Sequence, residues 1–454
     1  MNADVSKDRD RVLDELLQGP KYPDREFVRF GATFAEVYAM AGALHAKLLQ
    51  QAKPGMLVCL ATEDKAIVAA ALLASLSGGP SLLLPYAFST KVLAQMHRTT
   101  GFPVALADRT GDFPEGVKVI RPQAVGSAEL TCASGHNAAE VELVQIFTGG
   151  TTGTPRIWSK TGRNLFGEGL FLAERFGVTT SDCILATIPP YHIYGLLYSI
   201  ILPLVSGATV VDATPSFPEE IVRIAGDTGS TILASVPAHY RALRDREFPL
   251  RLAFSSAGML DPADNAAFCR HNACGVVEVY GSTETGGIAT RHRSRGEEFF
   301  TPFPTLDWRI LNGCLAVRSP YISSSLPLDA EGFFTTGDRA EAMGQNEFAL
   351  KGRADMVTKV GGKRVDLDEI SLFLKKQSGV TDCVVLALPD SGGREHLIGA
   401  LIQGENVDCD KIKRALAEVF EPYALPRRMK TVEWIPLTQN GKYDWQSIVR
   451  QLEK

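Results

Sequence analysis

MLVCLATEDKAIVAAALLASLSGGPSLLLPY, residues 56–86, reads as an apolar strand, a buried helix from Ala66 to Leu76, a Gly-Gly-Pro turn and a second apolar strand. Two strands joined through a helix run parallel, and a parallel sheet covered on both faces carries near-continuous apolar runs rather than alternating ones. Upstream, Phe34, Val37, Tyr38, Ala41, Leu44 and Leu48 share one helical face, and Thr33 with Glu36 has capping-box spacing. Downstream, beyond a Gly/Thr-rich segment at 148–154, the runs CILATI, ATVVD, TILASV, LAFSSA and VVEVYG repeat the strand texture and predict a second sheet layer.

From about residue 296 the texture shortens to runs such as WRILNGCLAVRS and GFFTTGD between Gly, Pro and Asp turns, which predicts antiparallel hairpins or a small barrel over about 296–350. The charged segment LKGRADMVTKVGGKRVDLDEI then opens a last block. There CVVLALP, LIGALIQ and MKTVEWI read as strands. Ile412, Ala415, Leu416, Val419 and Phe420 form a helical stripe, and Asp444 to Leu452 a closing helix. The expected fold is α/β: an N-terminal domain of layered sheets over 1–354 with a small β-barrel-like subdomain, and a separate α+β domain over 355–454.

With 454 residues, 45% apolar and 22% charged, the composition is that of a soluble globular protein of several domains. Forty-seven basic against 52 acidic residues leave a net charge of -5, which offers no electrostatic grip on nucleic acid. Eight cysteines are too sparse for a disulfide framework and suit a reducing, cytoplasmic setting. Cys269, His271 and Cys274 lack a second cluster at metal-ligand spacing and read as the end of a helix. The mixed-charge N-terminus lacks the apolar core of a signal peptide. Tyr191 to Val211 is uncharged and long enough to span a bilayer, but Pro203, Ser206 and Gly207 break it, so no membrane span is expected.

FTGGTTGTPR, residues 147–156, follows the apolar run VELVQI and offers the backbone N–H groups and hydroxyls that a polyphosphate needs. It lacks the Gly-Lys-Ser/Thr ending of a Walker A loop, and taken alone it reads more readily as a plain surface turn. In VVEVYGSTETGG, residues 276–287, Glu284 beside hydroxyls at a strand end can hold Mg2+ against phosphate oxygens; alternatively Ser282 or Thr283 caps a helix. His192, in PPYHIYGL, reads either as a site residue or as a satisfied core histidine.

These two loops resemble the core signatures of the AMP-forming adenylating superfamily of acyl-CoA synthetases, aryl-CoA ligases, luciferases and peptide-synthetase adenylation domains. The resemblance continues in order through PPYHIYGL (189–196), SSAGM (255–259), TTGD (335–338), KGRADMVTKVGGKRVDLDEI (351–370) and PLTQNGKYD (436–444). It implies that Thr148, Gly149, Gly150, Thr151, Thr152 and Gly153 cradle the ATP phosphates. Thr283 would meet the α-phosphate and Glu284 would bind Mg2+. Ala257, Gly258, Tyr280, Gly281 and Ser282 would surround the nucleotide, and Asp338 and Arg353 would hold the ribose. Lys442 would bridge carboxylate and α-phosphate. Asp355 would be the hinge, and Lys359, Gly361 and Gly362 would line the path of a pantetheine arm. His192 would stand at the mouth of an acid pocket formed by Tyr191, Tyr194, Ser235, His239 and Gly286, with Gly258 nearby. Arg156 stands where the family usually has lysine, and the chain is compact for the family.

The implied activity is an AMP-forming acid-thiol ligase that uses ATP, Mg2+ and coenzyme A. No aspartate near His192 awaits a substrate amine, so the expected substrate is an aromatic or short- to medium-chain carboxylic acid rather than an α-amino acid. Two alternatives stay open: transfer of the acyl group to an acyl carrier protein or an amine, and a non-catalytic nucleotide-binding module.

Overall fold

The structure, a computed structural model, describes residues 11–51, 55–108, 111, 113–122, 130, 137–148, 156–360, 363–389, 396–438 and 443–453. Side chains at 148, 355, 357, 359, 363, 364, 389 and 396 lie outside that description. The chain divides into two compact units, Met1–Asp307 with Arg318–Phe334, and Trp308–Val317 with Thr335–Lys454.

The first unit holds two sheets. In one, β1 (Leu57–Ala61), β2 (Ser81–Leu84), β3 (Val104–Ala107), β4 (Lys118–Ile120), β5 (Glu142–Thr148) and β6 (Arg156–Thr161) lie in the order β4-β3-β1-β2-β5-β6. The pairs up to β5 are parallel, while β6 runs back against β5. The quoted stretch forms β1, the helix Lys65–Leu76 and β2, with Leu57 opposite Ser81. Asp64 caps that helix by accepting from the Ile67 amide at 2.9 Å. The whole helix is buried, so its one cation, Lys65, needs compensation, which comes from carbonyl dipoles and from the nearby charges of Asp212, Glu63 and Asp64. Its ammonium donates to the carbonyls of Val211, Asp212 and Ala213 at 2.6, 2.9 and 3.1 Å. The foreseen capping box is also present: the Thr33 amide donates to Glu36 at 2.7 Å, and the Glu36 amide to Thr33 Oγ1 at 3.2 Å.

The other sheet contains β7 (Cys183–Ala186), β8 (Thr209–Val210), β9 (Ile232–Ser235), β10 (Leu252–Ser255), β11 (Val277–Ser282), β12 (Gly286–Arg291) and β13 (Thr301–Pro302). Their order is β13-β12-β11-β10-β9-β7-β8, parallel from β8 to β11 and antiparallel beyond. The uncharged stretch after Tyr191 becomes a buried helical run, Ile193–Ser206, whose Leu197–Ile201 turn is a π-helix, followed by β8. No helix among the described residues is long and apolar enough to cross a membrane.

In the second unit β14 (Asp307–Leu311), β15 (Cys314–Arg318), β16 (Phe334–Ala342) and β17 (Phe348–Arg353) form a sheet in sequence order. The short alternating runs thus make an open sheet, with no β14–β17 pairing among the described residues to close it as a barrel. After a 3-10 turn at Ala354–Met356, β18 (Val357–Val360) and β19 (Lys363–Asp366) form a hairpin. A sheet of β20 (Val380–Pro389), β21 (His396–Gly404) and β22 (Arg428–Val432) follows, in that order. Strand alternation gives it two buried faces. Val385, Ile398 and Ile402 pack with Ile370, Leu374, Ile412 and Leu416; Val384, Leu386 and Leu401 pack with Ile448 and Leu452. By contacts the second unit takes in β14 to β17 together with the chain that follows them. Arg339 pairs with Asp366, and the Arg353 amide donates to Asp368 at 3.0 Å, which fastens β16 and β17 to the chain beyond Asp355. Cys269 and His271 end the helix Pro262–His271, with Cys274 in the turn that follows.

Candidate active site

Ligands of open α/β sheets gather at the carboxyl ends of parallel strands, and PPYHIYGL, SSAGM and the Tyr280–Glu284 segment follow or close the parallel strands β7, β10 and β11. β11 runs parallel to β10, shifts register at Tyr280/Gly281, turns through Thr283–Thr285 and returns as β12. The turn is closed by the Ser282 amide donating to Thr285 Oγ1 at 3.2 Å and by a 2.9 Å bond between the two hydroxyls. Gly286, at φ +69°, starts the return strand. Ser282 and Thr285 therefore cap a hairpin and not a helix. Glu284 sits partly buried in the turn, and among the described residues nothing hydrogen-bonds or ion-pairs with its carboxylate. A hard carboxylate that accepts no hydrogen bond among the described residues, and whose charge acts only at a distance on the Lys160 ammonium, fits the donor set by which Mg2+ is held, one or two carboxylates completed by substrate phosphates.

Behind this turn lies a buried pair that the sequence reading missed. Lys160, on β6, donates to the carbonyls of Glu284 at 3.1 Å and Tyr321 at 2.6 Å. Glu168, on the helix Gly162–Phe176, accepts from the Gly287 amide at 2.8 Å. Burial pushes the Lys160 ammonium downward and the Glu168 carboxyl upward, each opposed by the charge of the other. The available signal was Glu168 within LFGEGLFL, a charge inside an otherwise apolar helical run.

At the nucleotide segment, Ser256 Oγ donates to the Val279 carbonyl at 2.8 Å and joins the ends of β10 and β11. Ala257 is left-handed at φ +69°, a conformation costing about 1–2 kcal/mol for a residue with a Cβ. Ser255 Oγ is buried without a hydrogen-bond partner among the described residues. The Tyr280 ring lies 5.7 Å from that of Phe300, over which the Arg291 guanidinium sits at 4.2 Å. Arg291 in turn grips Glu278 through bonds of 3.0 and 2.8 Å, in a buried pair joined by Arg293 at 2.8 Å. Within the second unit Asp338 and Arg353 face each other on β16 and β17, 3.4 Å apart.

The acid-pocket candidates separate into groups. Ser235, His239 and Thr187 form a triangle: Thr187 Oγ1 to Ser235 Oγ is 2.8 Å, and His239 Nδ1 lies 2.9 Å from Thr187 and 3.1 Å from Ser235. Burial pulls the His239 imidazole down to about 4. Thr187 was not anticipated; it lies two residues ahead of the PPYHIYGL segment. The Tyr194 hydroxyl is committed to the carbonyls of Ser235 and Phe254 at 3.2 and 3.1 Å. Tyr191 packs edge-on to Phe88 at 4.8 Å and against His192 at 4.6 Å, and His192 stands at the start of the helix Ile193–Leu196. Gly286 sits elsewhere: a Cβ added to it would lie 2.6 Å from Glu168 Oε2 and 2.7 Å from Tyr321 Cβ. Gly258 is less confined, with Pro237 Cγ at 3.6 Å from such a Cβ. Gly149, Gly150, Thr151, Thr152, Gly153, Gly361, Gly362 and Lys442 lie outside the described residues, as do the side chains of Thr148, Asp355 and Lys359.

A family model described as AMP-binding enzyme matches residues 17–315, and one described as AMP-binding enzyme C-terminal domain matches residues 369–442. A sulfoacetate–CoA ligase of Cupriavidus necator is 25% identical over 329 residues, 65% of this chain and 64% of its own. A 4-coumarate–CoA ligase of Rhodobacter capsulatus is 30% identical over 319 residues, 68% of this chain and 77% of its own. The chain thus spans under two thirds of the length of the first of these relatives. In fold it matches ATP-bound MatB from Rhodopseudomonas palustris with a TM-score of 0.83 at 19% identity, over 97% of this chain and 98% of that one.

Proposed function

The chain belongs to the AMP-binding enzyme family, and from that premise we propose that it is an AMP-forming acid-thiol ligase acting on a small carboxylic acid other than an α-amino acid. The observation that carries the reading is the Glu284 carboxylate, with no hydrogen bond or close ion pair among the described residues, in the turn at the end of β11. In this reading ATP is bound between the 148–153 loop and the Thr283–Glu284 turn. Ala257, Gly258, Tyr280, Gly281 and Ser282 line the base, and Asp338 and Arg353 take the ribose. The acid carboxylate attacks the α-phosphate in line, pyrophosphate leaves, and a thiol then displaces AMP from the acyl adenylate. Bringing two anions together is a problem of positioning and charge neutralisation. Lys442 supplies a mobile point charge, while Thr283 orients the α-phosphate. A bound Mg2+, held by Glu284, would neutralise phosphate charge.

Neutral groups support the choice of acid. The Thr187–Ser235–His239 triangle offers polar atoms without net charge, since His239 is neutral near pH 7. The substrates named for the two relatives, sulfoacetate and 4-coumarate, are likewise acids without an α-amino group. Coenzyme A is the proposed acceptor, its pantetheine arm passing Lys359, Gly361 and Gly362 after the C-terminal block turns about Asp355. The proposed setting is the cytoplasm, in keeping with seven described cysteines that are all free thiols. The test is pyrophosphate release across aromatic, short, medium and long acids with amino acids included, followed by acyl transfer to coenzyme A against a set of carrier proteins. Response to amino acids alone would overturn the choice of acid.

A further inference from the structure

We propose that Lys160 is a positioning residue for the metal-nucleotide end of the site: its buried ammonium clamps the backbone of the Thr283–Glu284 turn to the strand that leaves the phosphate-loop segment. The inference rests on the reading of Glu284 as a metal ligand. Three stretches of chain meet here. β6 begins at Arg156, directly after residues 149–155, and carries Lys160 four residues later. The turn 283–285 presents the Glu284 carbonyl, which accepts both from Lys160 Nζ at 3.1 Å and from the Ser323 amide at 2.8 Å. The segment 320–323 is drawn in by Lys160 to the Tyr321 carbonyl at 2.6 Å, by Ser323 Oγ to the Ser159 carbonyl at 2.7 Å, and by Asn164 Nδ2 to the Pro320 carbonyl at 2.7 Å.

Glu168 completes the frame from the other side. Its Oε1 holds the Gly287 amide and its Oε2 presses on Gly286, where a Cβ would come within 2.6 Å, so a glycine is needed at the start of β12. A cation with a strand stem and two carbonyl partners fixes a backbone atom of Glu284 and leaves its carboxylate to a ligand. A buried charge pair is a poor source of stability compared with apolar residues of similar volume. Its placement behind this turn accords with a geometric role, because partners one shell out from a metal ligand typically set affinity by about 10- to 100-fold.

The double variant Lys160→Met with Glu168→Gln tests this, since it removes both charges together and leaves no uncompensated ion in the interior. ATP binding would be followed by calorimetry over a Mg2+ series, with melting temperature and pyrophosphate release measured on the same preparations. The expected result is a rise of about tenfold or more in the Mg2+ concentration that half-saturates ATP binding. Pyrophosphate release should recover toward the wild-type rate at high Mg2+. An unchanged Mg2+ requirement in a folded variant overturns the inference. If the double variant does not fold, Lys160→Arg keeps a cation opposite Glu168 while changing the geometry of the donor to the Glu284 and Tyr321 carbonyls, and the same criterion applies to it. Wild-type protein that binds ATP equally with Mg2+ and with EDTA overturns the metal reading of Glu284 itself, and this inference with it.

Discussion

Glu284 and Arg156 carry opposite charges near the proposed phosphate site, and their substitutions separate a metal ligand from a mobile counter-charge. Glu284→Gln keeps shape and loses the anion, so pyrophosphate release should fall by roughly 10²–10³-fold, the range for loss of one preorganised electrostatic group. Arg156→Lys keeps the charge at an exposed position, and its effect should stay within several-fold. Comparable losses in both would remove Glu284 from the metal. His239 predicts a pH effect on folding. Its folded value of about 4 lies below the ordinary 6.5, so the unfolded chain binds more protons between those values. Stability should therefore decline as pH falls from about 6.5 toward 4, and His239→Gln should flatten that decline in melting temperature. At this scale the sequence was most legible where a residue type answers a local need, as with Thr33 and Glu36. It offered no partner for Thr187, Lys160 or Glu168, even where Glu168 stood out as a charge in an apolar run, because their partners lie 48 to 161 residues away.

The β11–β12 hairpin is the element on which the nucleotide reading turns, and a buried ion pair anchors it. Glu278 and Arg291 face one another across the two strands, both almost fully buried. Arg291→Ala leaves the buried Glu278 carboxylate to the partly exposed Arg293, so the change should cost about 3 kcal/mol, the low end for breaking a buried pair, in denaturant unfolding. The paired change Glu278→Gln with Arg291→Met should cost clearly less. Equal costs would mean that packing over Phe300, rather than charge, sets the value. Strands such as β1, β2, β9 and β10 were legible because parallel strands buried on both faces are apolar throughout. β6 and β12 were not. RIWSKT mixes charge and apolar residues, and GGIATR opens on two glycines, so each reads as a continuation of the loop before it.

Over the whole molecule, the chemistry is proposed to divide between two half-reactions, with Asp355 and Lys442 in the block that distinguishes them. Asp355→Pro fixes φ and removes an N–H in the 3-10 turn that follows β17, so thioester formation should suffer more than acyl-adenylate formation. Lys442→Ala should do the reverse, slowing adenylation by roughly 10²–10³-fold while preformed acyl adenylate still yields thioester near the wild-type rate. Equal damage to both steps from either change would contradict a two-step alternation. Seven short segments in order were enough to read the family from sequence, and the matched regions 17–315 and 369–442 agree with it. The substrate was not legible, because the proposed pocket residues come from separate strands and helices. The central claim is that the α-phosphate is the point of attack. Its direct test is a single-turnover reaction of the full chain with ATP, Mg2+ and an accepted acid, quenched before thiol is added. The expected result is one equivalent of pyrophosphate and one of enzyme-held acyl adenylate, discharged to thioester and AMP when coenzyme A is supplied; release of ADP and phosphate would contradict attack at the α-phosphate.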